Sequence, residues 1–116
     1  MKGTRVSVVL KSPVGDELEQ SINLSFLASI DEVEYEAILI GLRMARQLQV
    51  RKVNVCSDSQ LVVNQVEWHY EAHNERMARY LDVVKRKAFW FYFVDFTLVP
   101  WLLLKKCYFI TCNKLF

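Results

Sequence analysis

The longest regular pattern of apolar positions lies between residues 29 and 48. Apolar side chains recur there at helical spacing, at Val33, Ala37, Ile40, Gly41, Met44, Ala45 and Leu48. Ser29 and Glu32 fit a capping box, in which each side chain bonds the backbone amide of the other residue. The pattern therefore predicts an amphipathic helix that begins just after Ser29.

One acidic residue, Glu34, interrupts the apolar stripe of this helix. At about 100° per residue it falls between Ala37 and Ile38. The other polar positions lie outside the stripe, at Glu32, Glu36, Arg43 and Gln47. A carboxylate on the buried face is costly unless a partner or a metal compensates it. Two interpretations stay open: Glu34 leans to solvent in the first turn, or it is a functional carboxylate.

A strand and a second acid follow the helix. Residues 51–56 alternate polar and apolar side chains and predict a strand, and a new helical pattern starts at Leu61. Asp58 then lies at the carboxyl end of that strand, where open sheets bind ligands. Alternatively, Ser57 or Asp58 caps the next helix. If Asp58 meets Glu34, the convergent carboxylates indicate a divalent metal site.

The remaining patterns predict a hairpin, a helix and a further strand. Strands are predicted at 5–10 and 18–24, joined by a turn over 12–16 that contains Pro and Gly. Asn74 is expected to cap a helix with a basic surface. Two interpretations stay open: this surface binds phosphate backbones, or it is an ordinary solvated face. Residues 89–100 predict a buried, aromatic-rich strand.

Composition adds little to this picture. The 116 residues predict one domain, the hydrophobic fraction of 53% allows a substantial core, and the net charge of +2 is too small to indicate nucleic acid by itself. No secretory signal is visible. Cys56, Cys107 and Cys112 lack metal-binding spacing, so reduced structural thiols are expected, which suits an intracellular compartment.

The apolar stretch 88–104 raises the question of a membrane span. It is near the lower length limit for a spanning helix. Asp95 in its middle costs roughly 2.5–3.5 kcal/mol on an insertion scale, and Pro100 breaks a helix. A core strand followed by an exposed apolar tail is therefore predicted, with no membrane partner, and the chain divides into a domain at 1–100 and a divergent tail at 101–116.

Three segments together resemble a known family. They read EVEYEAILIGLRMARQLQV, VNVCSDSQLVVNQV and EWHYEAHNERMARYLDVVK. They are similar to the ribonuclease H (RNase H) family, most closely to type 1 domains and the reverse-transcriptase-associated RNase H domain of plant Ty3/gypsy-type retroelements. The match runs from about Lys2 to Pro100. It implies an α/β fold, an RNase H-like mixed sheet flanked by helices, belonging to a longer retroelement polyprotein.

The resemblance also implies an activity. The family hydrolyses the RNA strand of an RNA–DNA hybrid with two Mg²⁺ ions held by four acidic side chains. Glu34 and Asp58 match two of those acids as catalytic and metal-binding residues. Ser59 and Gln60 match the segment that contacts nucleic acid.

The chain also departs from the family pattern. The family's first strand, central in its sheet and carrying a metal-binding Asp, has no counterpart before Lys2, and the acidic C-terminal helix is missing. Unpaired edges are expected on both sides of the gap. Ile30 and Asp31 replace asparagines that contact the hybrid. The resemblance thus implies an impaired hybrid ribonuclease or, alternatively, an inactive nucleic-acid-binding remnant or non-functional retroelement fragment.

Overall fold

The computed structural model describes residues 4–24, 30–57, 60–66, 75–98 and 106–111. The elements in chain order are β1 (Thr4–Lys11), β2 (Glu17–Leu24), α1 (Ile30–Gln47), β3 (Lys52–Ser57), α2 (Gln60–Val66), α3 (Glu75–Ala88), β4 (Phe93–Leu98) and β5 (Lys106–Thr111). No described helix is long and apolar enough to cross a membrane.

The predicted hairpin is confirmed. Strands β1 and β2 pair antiparallel from Thr4 opposite Leu24 to Lys11 opposite Glu17. The Ser12 amide donates to the Asp16 carbonyl at 2.8 Å, and the Asp16 amide donates to Ser12 Oγ at 3.0 Å. Gly15 has a φ of +97°, a conformation that side-chain-bearing residues rarely adopt, so the glycine fixes the turn.

The described residues form a five-stranded sheet in the order β2-β1-β5-β3-β4. It is mixed, because β5 runs parallel to β1 but antiparallel to β3, while β3 and β4 are parallel. Strand β5 is thus central. Tyr108 lies opposite Val9 on one side and opposite Cys56 on the other.

The position of β5 differs from the sequence-based expectation of an exposed apolar tail. Residues 106–111 fill the gap between β1 and β3, so the central edges that were expected to be unpaired are paired along β5. The segment KCYFIT is rich in aromatic and β-branched residues, which favour strands. The edges of β1 and β3 offer backbone hydrogen-bond partners on both sides of residues 106–111, which explains why this segment joins the sheet.

Strand β4 also differs from its prediction. Sequence patterning predicts a buried strand over 89–100, but β4 spans only Phe93–Leu98 and is an edge strand of the described sheet. Phe89 and Trp90 form a turn after α3, and the Phe89 side chain is 91% exposed. Aromatic content alone misled the prediction, because an edge position leaves side chains partly in water.

Helix α1 is confirmed and forms the centre of the core. It contacts β1, β3 and β5 of the sheet and also contacts α2 and α3. It is therefore buried on more faces than the predicted stripe, with fully buried side chains at Tyr35, Ala37, Ile38, Leu42 and Ala45. Glu32, predicted outside the stripe, is only 7% exposed. Its carboxylate lies against α3, where Arg76 Nη1 donates to both of its oxygens at 3.2 Å.

A buried hydrogen bond joins α1 to α2, and its loss is expected to lower the stability of the fold. The Tyr35 hydroxyl donates to Gln65 Oε1, and both residues are at most 1% exposed. Tyr35→Phe removes a donor from a buried acceptor, so we expect the free energy of unfolding to fall by ~1–3 kcal/mol in urea denaturation. The matched control is Tyr92→Phe, at a ring 78% exposed, with a change within about 0.5 kcal/mol. Equal midpoints for the two variants would contradict the assigned bond.

Candidate functional site

The first turn of α1 lies against the carboxyl end of β3. Ser57 is fully buried and is the last residue of β3, and its Oγ donates to Glu34 Oε1 at 2.6 Å. Glu34 itself is half-buried. Of the two interpretations of Glu34, the structure disfavours a side chain that simply leans into bulk solvent. Its carboxylate is held at the strand end from which Asp58 follows.

The other predicted site residues are described only in part. Asp58 and Ser59 lie outside the described residues. Gln60 is the first residue of α2, but its side chain lies outside what the structure describes. Asp58 directly follows Ser57 in the sequence. The convergence of Glu34 and Asp58 stays a prediction, supported by the contact that Glu34 makes one residue earlier.

Two further contacts hold the first turns of α1 against α3. Besides the Glu32–Arg76 ion pair, the Tyr80 hydroxyl donates to Glu36 Oε1 at 2.7 Å. Burial, followed by this hydrogen bond and the Glu36 charge, raises the pKa of Tyr80. These contacts were missed from sequence. The signal was the spacing of four residues between the acids on one helix and between Arg76 and Tyr80 on the other.

The α3 contacts also explain the direction of Glu34. Glu32 and Glu34 are two residues apart, which separates their side chains by about 200° around a helix. With Glu32 fixed against α3, Glu34 is turned to the opposite side, towards β3. Glu32 and Glu34 therefore lie on different faces of α1: Glu32 contacts α3, and Glu34 contacts β3.

The donor chemistry fits a hard divalent cation. Mg²⁺ prefers oxygen ligands and usually keeps several waters. The Glu34 carboxylate supplies such an oxygen, and the Ser57 hydroxyl orients it. Among the described residues no cluster of three or more His, Cys, Asp or Glu side chains is placed to hold a metal. A metal here would depend on Glu34 together with Asp58.

Cys56 lies beside this site but is suited to packing. Its thiol is buried and belongs to no described disulfide. Burial, and secondly the charge of Asp95, raise its pKa, so the thiol stays protonated and a poor nucleophile near neutral pH. Its burial supports the predicted structural role, which stays a prediction.

The basic surface of α3 is partly neutralised. Arg79 pairs with Glu75 at 2.7 Å, and Arg86 pairs with Asp82 at 3.0 Å, each one helical turn apart. All four side chains are largely exposed. These arginines therefore belong to an ordinary solvated face, which was one of the two interpretations of this helix.

Comparisons with known proteins agree with this fold. The profile of the family described as "Reverse transcriptase-like" matches residues 4–101. RNase H1 from the halophilic archaeon Halobacterium salinarum NRC-1 superposes with a TM-score of 0.76 at 23% identity, over 80% of this chain and 70% of that one. The N-terminal RNase H domain of rv2228c from Mycobacterium tuberculosis, solved as a fusion with maltose binding protein, gives 0.64 at 24% identity, over 76% and 61%.

A search of curated protein sequences gave no match. At these identities the structural likenesses establish the fold, while the family profile covers most of the chain. The chain belongs to the reverse transcriptase-like family and is an RNase H-like domain.

Proposed function

We propose that this domain acts on RNA–DNA hybrids and holds Mg²⁺ with Glu34 and Asp58. The observation that carries the proposal is the hydrogen bond from Ser57 Oγ to Glu34 Oε1. It brings an acid of α1 to the end of the strand that leads into the second acid. Membership in an RNase H-like family supports hybrid nucleic acid as the substrate class.

Each residue has a defined part in this proposal. When bound, Mg²⁺ would supply Lewis-acid chemistry, namely a more acidic water and neutralisation of charge on phosphate oxygens. Glu34 supplies a carboxylate oxygen from α1, and Ser57 is a positioning residue that fixes its orientation. Asp58 supplies the second carboxylate from the strand end. Ser59 and Gln60, at the start of α2, contact the hybrid.

The central strand limits the expected rate. Strand β5 reads KCYFIT and carries no carboxylate, although it lies beside β3 in the middle of the sheet. Each Mg²⁺ needs about six oxygens, so with Glu34 and Asp58 alone most of them come from water and phosphate. We therefore expect slow cleavage at best. The same observation favours a second candidate, a hybrid-binding domain that does not cleave. In either case we infer an origin in a plant retroelement polyprotein.

A labelled RNA–DNA hybrid tests the proposal directly. Purified protein is incubated with the hybrid in Mg²⁺ or in chelator, with Asp58→Asn purified in parallel to exclude a contaminating nuclease. A duplex DNA of the same sequence serves as the substrate control. We expect RNA-strand cleavage that requires Mg²⁺ and is lost in Asp58→Asn.

The other outcomes are distinct. Hybrid binding without cleavage, with an affinity that falls as salt rises, identifies the second candidate. Cleavage that persists in Asp58→Asn overturns the assigned site. Neither binding nor cleavage, in a sample that melts cooperatively, overturns the proposed substrate class.

A further inference from the structure

The end of the sheet remote from Glu34 carries a surface of aromatic rings and cations. We call it the Trp90 patch and define it by Arg43, Arg46, Arg51, Lys52, Lys87, Phe89, Trp90 and Tyr92. It lies where α1 and α3 end and β3 begins. Arg46 lies 12 positions after Glu34 on α1, which is about 18 Å along the helix, so the patch is separate from the candidate metal site.

Cation–aromatic contacts order the centre of the patch. The guanidinium carbons of Arg51 and Arg46 lie 4.4 Å and 5.3 Å from the Trp90 ring centroid. Arg51 Nη2 also donates to the Trp90 carbonyl at 3.0 Å. Lys52 Nζ lies 5.4 Å from the Tyr92 ring centroid. The rings and cations are thus arranged together before any ligand binds.

Two rings of the patch face water. Phe89 is 91% exposed and Tyr92 is 78% exposed, which are the highest exposures among the large hydrophobic side chains that the structure describes. Exposed aromatic rings in one short turn are typical of binding surfaces rather than of folding requirements. They offer flat faces on which another ring can stack.

The cations of the patch lack acidic partners in the described structure. The ion pairs between described residues join Arg76 to Glu32, Arg79 to Glu75 and Arg86 to Asp82. None of them uses a cation of the Trp90 patch. Favourable placement at helix C-termini accounts for Arg46 and Lys87, but it does not account for Arg51 and Lys52 at the start of β3.

A small cavity continues the patch between the two helices. It has a volume of about 100 Å³ and is lined by Leu42, Arg43, Arg46, Lys87 and Phe91. Its floor is apolar, since Leu42 and Phe91 are buried, and its rim is cationic. An apolar floor with a positive rim suits a flat ring that is attached to an anionic chain.

We propose that the Trp90 patch binds a single strand of RNA or DNA. The cations hold the phosphate backbone, and Phe89 and Tyr92 stack on bases. Bases in a duplex are already stacked on each other, so a single strand is preferred over duplex or hybrid. The positive charge, which has no acidic partner among the described residues, favours a polyanion over an apolar protein surface.

The test is binding of labelled, unstructured oligonucleotides to the full chain, followed by fluorescence anisotropy over a range of salt. Chelator is present throughout, so the result does not depend on the Glu34 site. RNA and DNA strands of the same sequence are compared with the hybrid and the DNA duplex. We expect single strands to bind more tightly than either duplex. Affinity is expected to fall with salt by a slope of ~0.7 for each phosphate contact.

Matched substitutions separate the patch from general effects. The double variant Phe89→Ala/Tyr92→Ala is expected to weaken binding roughly tenfold or more, whereas Val14→Ala, at an apolar side chain 72% exposed on the β1–β2 turn, leaves it unchanged. Arg43→Ser is expected to weaken binding and to lower the salt slope by about 0.7. Arg79→Ser, which removes an exposed guanidinium already paired with Glu75, leaves the affinity and the salt slope unchanged.

Three results would overturn the proposal. The first is that single strands and duplex bind with equal affinity. The second is that the Phe89→Ala/Tyr92→Ala variant binds single strands as tightly as wild type does. The third is concentration-dependent self-association of wild type that the same double variant abolishes while no oligonucleotide binds. That outcome would assign the patch to contacts between copies of the chain.

Discussion

Replacing Phe109 with proline is expected to abolish cooperative folding, whereas Phe109→Val is expected to be tolerated. Phe109 lies in the middle of β5, opposite Leu10 on β1 and Val55 on β3. Proline has no N–H and disrupts the ladder of an interior strand. Valine keeps the N–H and favours strand conformation. The pair of variants therefore separates backbone pairing from side-chain identity.

The expected effect is large because β5 joins two halves of the sheet. Without it, the β1–β2 hairpin and the β3–β4 pair have no direct strand contact in the described sheet and connect chiefly through α1. Domains of this size have about 5–15 kcal/mol of stability in total. Losing the central strand exposes two long edges and removes pairing along both of them, which exceeds what α1 alone compensates.

Circular dichroism and urea denaturation measure this effect. Phe109→Pro is expected to show a broad transition without a native baseline, and Phe109→Val a single sharp transition. Deletion of residues 106–116 should behave like the proline variant. A proline variant that unfolds with the wild-type midpoint would show that β5 does not hold the sheet together in solution.

Local patterns were sufficient to predict much of the fold. The β1–β2 hairpin, α1 and β3 were confirmed because their signals lie within single segments: a Pro-Gly turn, helical spacing from Val33 to Leu48, and alternation before Ser57. Strand β5 was not predicted as part of the sheet. Its partners are some 50 to 100 residues away in the chain, and no local pattern encodes pairing over that separation.

The sequence also indicated one acid of the candidate site, while the role of the other predicted site residues stays a prediction. Glu34 was singled out because it interrupts an apolar stripe, and the structure places it in a half-buried, hydrogen-bonded position. The hydrogen bond from Ser57 to Glu34 was not predicted, because a serine before a helix is usually interpreted as a cap. The partner of Glu32 depended on how α3 crosses α1, which the sequence of either helix alone does not determine.

Ser57→Ala is expected to weaken metal binding while Glu34→Gln removes most of it. Glu34 supplies a proposed metal ligand, and Ser57 only orients that ligand through Oγ. Loss of an orienting group typically costs ~10–100-fold in metal affinity, so loss of the ligand itself should cost about 100-fold or more. Ser21→Ala is the matched control, since its hydroxyl is exposed on β2 and bonds only to Ser7 at 3.2 Å among the bonds described.

Two measurements distinguish positioning from direct ligation. Calorimetric titration with Mn²⁺ as a Mg²⁺ surrogate reports affinity without requiring cleavage, and hybrid cleavage against Mg²⁺ concentration reports rate. For Ser57→Ala we expect the half-saturating metal concentration to rise by ~10–100-fold while the rate recovers at saturation. For Glu34→Gln the rate should not recover. If Ser57→Ala matches Ser21→Ala in both measurements, Glu34 needs no orienting partner and the contact at the end of β3 is purely structural.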